Sequence, residues 1–146
     1  MFPAQSLIQA VFRLTVKRST PDTNTQFDAI ILGFGKGSKT IAGKLASIGK
    51  TVALIEKSPN MYGGTCINVG CIPSKSLIYS ALSSSVVQST WEEKQAAYAA
   101  AITEKRRVTA MLRQKNYDKL ASHPNITVVD GLGSFLSSTS VRVATA

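Results

Sequence analysis

The sequence predicts an α/β fold with a parallel sheet, and two observations predict it. The stretch "FDAIILGFGKGSKTIAGKLASIGKTVALIE", from Phe27 to Glu56, runs through apolar strand, glycine turn, helix, capping glycine and second apolar strand, the order of a βαβ unit. Near the C-terminus "ITVVDG" and "VRVAT" add short β-branched runs suited to further strands. The chain has 146 residues, 44% of them hydrophobic, and no apolar run long enough to cross a bilayer, so length and composition describe one soluble domain.

Taken in order, residues 1–26 carry no acidic group before Asp22 and scatter Leu7, Ile8, Val11, Phe12 and Leu14 among Arg13, Lys17, Arg18 and polar residues. That pattern is too broken for the apolar stretch of a secretory signal. It is read as a disordered N-terminal extension on a cytoplasmic protein, with a mitochondrial presequence as the lesser alternative. Order is expected from Phe27: a buried strand at 27–32, a glycine turn, a helix to Ile48 capped by Gly49, and a second strand at 51–55. A helix from Pro73 to about Val87 and a longer, alanine-rich one from Trp91 to about Leu120 follow, with the serines at 83–85, Ser89 and Thr90 between them. His123, Pro124 and Asn125 make a turn, then one strand ends at Gly131 and "VRVAT" forms the last.

The glycine turn has the spacing of a phosphate cradle. Gly33, Gly35 and Ser38 fill the three slots of a G-x-G-x-x-G pattern between a strand and a helix. The first glycine permits a tight turn, the second lets a pyrophosphate reach the backbone, and the helix N-terminus supplies N–H groups and dipole. Glu56 ends the second strand, where a carboxylate can accept both hydroxyl hydrogens of a ribose. Ser38 departs from the pattern, and its Cβ is expected to loosen the helix against the strand slightly. Lys36 and Lys39 are expected to face solvent and receive no role.

Both cysteines lie in "GGTCINVGCIPSK", residues 63–75. On a regular helix, positions five apart point about 140° away from each other and sit about 7.5 Å apart along the axis. Bridged Cα atoms lie within about 7 Å, so a Cys66–Cys71 disulfide requires a distorted first turn and should be strained and easily reduced. Such a bond suits redox exchange better than stapling. A thiolate at a helix N-terminus also profits from the dipole and nearby cations, so a lowered thiol pKa is expected there. Two cysteines and one histidine are too few for a structural zinc site, and no metal site is assigned.

The net charge of +9 raises nucleic acid as a partner, but the basic residues are dispersed. The densest group, Lys105, Arg106, Arg107, Arg113, Lys115 and Lys119, shares its expected helix with Glu104 and Asp118. It is read as a solvated face, so neither nucleic acid nor membrane is expected as a partner.

The turn, Glu56, and the C-x-x-x-x-C segment with its flanking glycines and Pro-Ser-Lys together resemble the N-terminal part of the FAD-dependent pyridine nucleotide–disulfide oxidoreductases. This is the group of lipoamide dehydrogenase, glutathione reductase and mercuric reductase. The likeness runs from Phe27 to the end. Within it, "MYGGTCINVGCIPSK" and "LRQKNYDKLASHPNITVVDG" most resemble a bacterial subgroup related to mercuric reductases and associated with reactive-chlorine and metal stress.

The resemblance implies a Rossmann-like FAD-binding domain over 27–146, incomplete, with a redox disulfide against the isoalloxazine ring. It implies NAD(P)H as electron donor in the full-length enzyme, a small-molecule or metal-ion acceptor, and a homodimer for the full-length enzyme. By position, Cys71 becomes the sulfur nearest the flavin, Cys66 the interchange thiol, and Lys75 the lysine near flavin N5. Gly33, Gly35, Ser38, Glu56, Lys57, Gly64 and Thr65 fall to the cofactor site, and Gly133 to a backbone contact with adenine. His123 is assigned no catalytic role, because the family's His-Glu pair comes from the C-terminal domain of the partner subunit. The NAD(P)H and dimerisation domains are absent, so the chain is expected to be a fragment. It should be inactive with NAD(P)H on its own, and its sheet should have an unpaired edge and an uncovered apolar face. An inactive remnant and a simple NAD-binding dehydrogenase domain are the alternatives.

Overall fold

The computed structural model describes residues 14–18, 24–84 and 90–144. Residues 1–13 and 19–23, much of the expected extension, lie outside the described residues, as do 85–89, where the helix expected to reach Val87 would end.

A parallel sheet of β3 (Ala29–Leu32), β4 (Val52–Glu56) and β5 (Ile126–Asp130) forms the middle layer, with β4 central. Every residue of β4 is buried, because both faces of the sheet are covered and successive side chains point to opposite faces. Val52 and Leu54 pack with Phe34, Ala42, Ala46 and Leu120, from α1 (Lys36–Ser47), α4 (Trp91–Ala121) and the turn between β3 and α1. Ala53 and Ile55 face the other way, onto Val16, Phe27, Val141 and Val143 of a second sheet. That sheet runs in the order β2 (Asn24–Phe27), β1 (Leu14–Arg18), β7 (Ser140–Ala144), β6 (Leu132–Ser137). The protein is thus three layers: helices, parallel sheet, second sheet.

Local chemistry sets the element ends. At the end of α1 the N–H of Gly49, at φ +82°, bonds to the Ala46 carbonyl and that of Lys50 to the Leu45 carbonyl, the paired closure that a left-handed glycine permits. Asp28 accepts the backbone N–H and the hydroxyl of Thr51 at 2.8 and 2.9 Å, latching the starts of β3 and β4 together. α4 opens on a reciprocal cap in which Thr90 Oγ1 accepts the Glu93 N–H and Glu93 accepts that of Thr90.

Several expectations are corrected. The stretch read as a disordered extension contains β1 and β2, an antiparallel pair whose first strand lies parallel to β7. Val16 buries its side chain there, a single apolar position too little to stand out among polar neighbours, while Phe27, buried as expected, closes β2. The strand expected at 27–32 is divided, Phe27 closing β2 and Asp28 bending the chain into β3. β6 was not expected at all. Among the described residues the parallel sheet has unpaired edges at β3 and β5, as expected, but its faces are covered by the helices and by the second sheet; exposed apolar residues lie on β6, at Leu132 and Phe135, and on the helix pair. There Ile78, Tyr79 and Leu82 of α3 (Cys71–Ser84) and Trp91 and Tyr98 of α4 are exposed.

Candidate functional site

The site is built where two chain reversals touch. The first is the turn after β3. Gly33 holds φ +90° and its N–H bonds to the Ile55 carbonyl at 2.7 Å, so the turn is pinned over the end of β4. Lys36 then starts α1, whose N-terminus has no side-chain cap and no acidic residue in its first turn. Ser38 lies half-buried in that first turn. The backbone N–H groups there are left for a ligand or water, and the dipole favours an anion.

Glu56 closes the cradle from below. Its buried carboxylate accepts the Phe34 N–H at 2.8 Å through Oε2 and the Ser58 N–H at 3.2 Å through Oε1. Each oxygen keeps further acceptor capacity. Lys57, next along, is exposed.

The second reversal is the cysteine segment, entered through a single 3-10 turn, Pro59–Met61. Tyr62, stacked between Phe34 and Tyr117 with ring centroids 5.1 and 4.7 Å away, donates its hydroxyl to Asp130 at the end of β5. Burial and the Asp130 carboxylate push the Tyr62 pKa far up, so the phenol keeps its proton. Gly64 follows at φ +75°, and a Cβ added to it would lie 2.6 Å from the Cα of Gly35. The backbones of the nucleotide turn and the cysteine segment are therefore in direct contact, an approach only glycine allows.

The expected distortion between the cysteines is a helix break. Cys66 sits in α2 (Thr65–Asn68), Val69 and Gly70 leave the helix, and Cys71 begins α3. Thr65 is exposed at the start of α2, and its carbonyl accepts the N–H groups of Val69 and Gly70 at 2.9 and 2.8 Å. Both cysteines are free thiols. The neighbouring Cys71 thiol, with burial, raises the Cys66 pKa, the reverse of the lowering expected. Lys36 and Lys39 act against the rise. Neither lysine is idle, as had been expected: Lys39 also donates to Asn116 Oδ1 on α4. Burial lowers the Lys39 pKa, and Cys66 opposes that shift.

Two assigned residues stand apart from this contact. Lys75 is exposed on α3, lining with Ile72, Tyr79, Ala97, Ala101 and Glu104 a groove of about 720 Å³ between α3 and α4. Gly133 lies on β6, where a Cβ would meet Leu32 Cδ2 at 2.7 Å, so its small size serves the packing of one sheet over the other. Sequence reasoning missed Phe34, Tyr62, Asn68, Arg113, Asn116 and Asp130. One signal was available: Thr109, Arg113, Asn116 and Leu120 fall at helical spacing on one stripe of α4, which therefore faces the protein.

The turn after β3, the buried Glu56 carboxylate and the cysteine segment thus meet at the Gly64–Gly35 backbone contact. No family model matches the chain. The probable pyridine nucleotide–disulfide oxidoreductase RclA of Escherichia coli is 45% identical over 118 residues, covering 81% of this chain and 24% of that protein. The dihydrolipoyl dehydrogenase of Chlamydia trachomatis is 36% identical over 129 residues, 82% of this chain and 26% of that protein. Among solved structures, a Cu(II) complex of the HOCl-induced flavoprotein disulfide reductase RclA from E. coli superposes with a TM-score of 0.68 at 46% identity, covering 79% of this chain and 24% of that one. The chain belongs to the pyridine nucleotide–disulfide oxidoreductase family. Within the family it falls in the RclA subgroup, of whose E. coli member it spans about a quarter of the length.

Proposed function

We propose that this chain supplies the flavin-binding turn and the redox cysteines of an NAD(P)H-dependent flavoprotein oxidoreductase that reduces a disulfide or a metal ion. The observation that carries the reading is the contact of Gly64 with Gly35, which joins the anion cradle to the cysteine pair.

The residues fit FAD. A Cβ built on Gly33, Gly35 or Gly37 meets nothing within 4 Å, so the space over the turn is open to a diphosphate, and the uncapped N-terminus of α1 aims N–H groups into it. Glu56 has acceptor capacity left for ribose hydroxyls. Lys57, Gly64 and Thr65 flank the cradle, and the Gly133 backbone belongs to the adenine end in the same reading. FAD, when bound, supplies two-electron exchange between NAD(P)H and the cysteines.

The cysteines do the rest. Closing the Cys66–Cys71 disulfide forms one S–S bond and releases two electrons and two protons, and opening it takes both back. Cys66 is the thiol that meets the acceptor and Cys71 the one on the flavin side, with Lys75 one helical turn further on α3. The dihydrolipoyl dehydrogenase relatives, named for oxidising a dithiol, support exchange with a dithiol–disulfide couple, which in the reverse direction makes the disulfide the acceptor, and the Cu(II) complex of the RclA relative supports a metal ion. A homodimer and a cytoplasmic location belong to this reading of the longer enzyme.

The test is to titrate the chain with FAD, following flavin fluorescence. Glu56→Ala should weaken binding by about 1.5–3 kcal/mol, the scale of charge-assisted hydrogen bonds. Unchanged FAD affinity rejects the cradle, and a chain that binds NAD but not FAD supports the simple dehydrogenase domain instead.

A further inference from the structure

Asn68 ends α2 between the two cysteines, and every polar atom of its side chain is engaged. Nδ2 donates to the carbonyl oxygens of Tyr62 at 2.9 Å and Gly64 at 3.0 Å, while Oδ1 accepts Nε–H of Arg113 at 2.8 Å. Arg113 also reaches Asn60 Oδ1 at 3.4 Å through Nη1. One guanidinium from α4 therefore grips the chain on both sides of the Gly63–Gly64 corner. The basic helix face read as solvated loses this member to the site.

The grip falls where the geometry of the cysteines is decided. A continuous helix through 65–84 would turn Cys66 and Cys71 about 140° apart. The chain avoids this by breaking the helix at Val69 and Gly70, and the bonds of Asn68 to Arg113 and the two carbonyls fix the last residue of α2 immediately before that break. We infer that Arg113, acting through Asn68, is a positioning residue that sets how closely Cys66 and Cys71 approach, and so how readily they close to a disulfide. Arg suits the role because its planar fork donates in two directions from one rigid group, which an ammonium does not.

The inference rests on the redox reading above, and the test separates the two. The 146-residue chain is equilibrated with glutathione: protein dithiol plus glutathione disulfide gives protein disulfide plus two glutathione thiols. The equilibrium constant is read from the oxidised fraction by mass spectrometry after alkylation, with far-UV circular dichroism alongside. Arg113→Gln should lower it about tenfold, the weight of one charge-assisted hydrogen bond holding the reacting pair. Arg113→Lys should fall between. Arg106→Gln, which removes the same charge from an exposed position on α4, should leave it unchanged. Should Arg113→Gln fail to fold, Asn68→Asp keeps an acceptor for Arg113 but loses both donors, and should lower the constant as well. Folded variants at both positions with the wild-type constant overturn the inference while leaving the redox reading intact. A wild-type chain that forms no disulfide at any glutathione ratio overturns both.

Discussion

Replacing Gly64 by alanine strikes the contact on which the site depends, and its cost follows from two separate features. The residue holds φ +75° and ψ −169°, a region that glycine alone occupies readily; a side chain there costs about 1–3 kcal/mol. The added Cβ would also stand 2.6 Å from Gly35 Cα. The obstacle is backbone, so it yields only by moving the nucleotide turn, at about another 1–3 kcal/mol. Together this is about 2–6 kcal/mol, a large share of the 5–15 kcal/mol that typically holds a domain. Urea unfolding should show a lower midpoint, and FAD affinity should fall with it because Gly35 is displaced. Gly37→Ala is the control: its Cβ meets nothing within 4 Å and its φ is not positive, so stability should hold or rise by up to about 1 kcal/mol. A Gly64→Ala protein within about 0.5 kcal/mol of wild type, with unchanged FAD binding, would refute the contact.

Other outcomes follow from the same structure. Lys39→Met removes a cation that favours the Cys66 thiolate, so the midpoint of Cys66 alkylation against pH should move further up and the rate at a fixed pH near 8 should drop; an unmoved midpoint speaks against the cluster. Tyr62→Phe keeps the ring stack but loses the bond to Asp130, and thermal or urea unfolding should register a loss of about 1–2 kcal/mol. The bonds from Thr51 hold the Asp28 carboxyl below 3.8, so its contribution is present above that value and lost as pH falls through the folded-state pKa. Asp28→Asn should flatten this acid limb of the stability profile, and an identical profile would count against the latch. Mixed anaerobically with NADH or NADPH, the FAD-loaded 146-residue chain should show no flavin bleaching, because it holds one nucleotide turn and no second one to present the nicotinamide.

What could be read in the sequence was what local spacing encodes. The strand, turn, helix and strand from β3 to β4 follow from a run of apolar residues, a glycine pattern and a capping glycine. The five-residue cysteine spacing likewise implies a distorted first turn if the two thiols are to pair, and the helix is broken between them. β6 gave no such signal: most of its residues are exposed, and with no buried face it shows no alternation. β1 and β2 were hidden for a related reason, each contributing a single buried apolar residue to a sheet that only pairing with β7 makes worthwhile.

The sequence by itself determined the family, and it singled out the glycine turn and the cysteine pair as the candidate site, because each is carried by residues close together along the chain. Only the tertiary structure decided how those parts meet. Arg113 reaches Asn68 across 45 residues and Lys39 reaches Asn116 across 77. The rise of the Cys66 pKa likewise comes from a neighbouring thiol brought near by a helix break and from burial. Electrostatics and close backbone approach depend on distance in space, and distance in space is set by which layers pack together, here the helices over β4 and the second sheet beneath it.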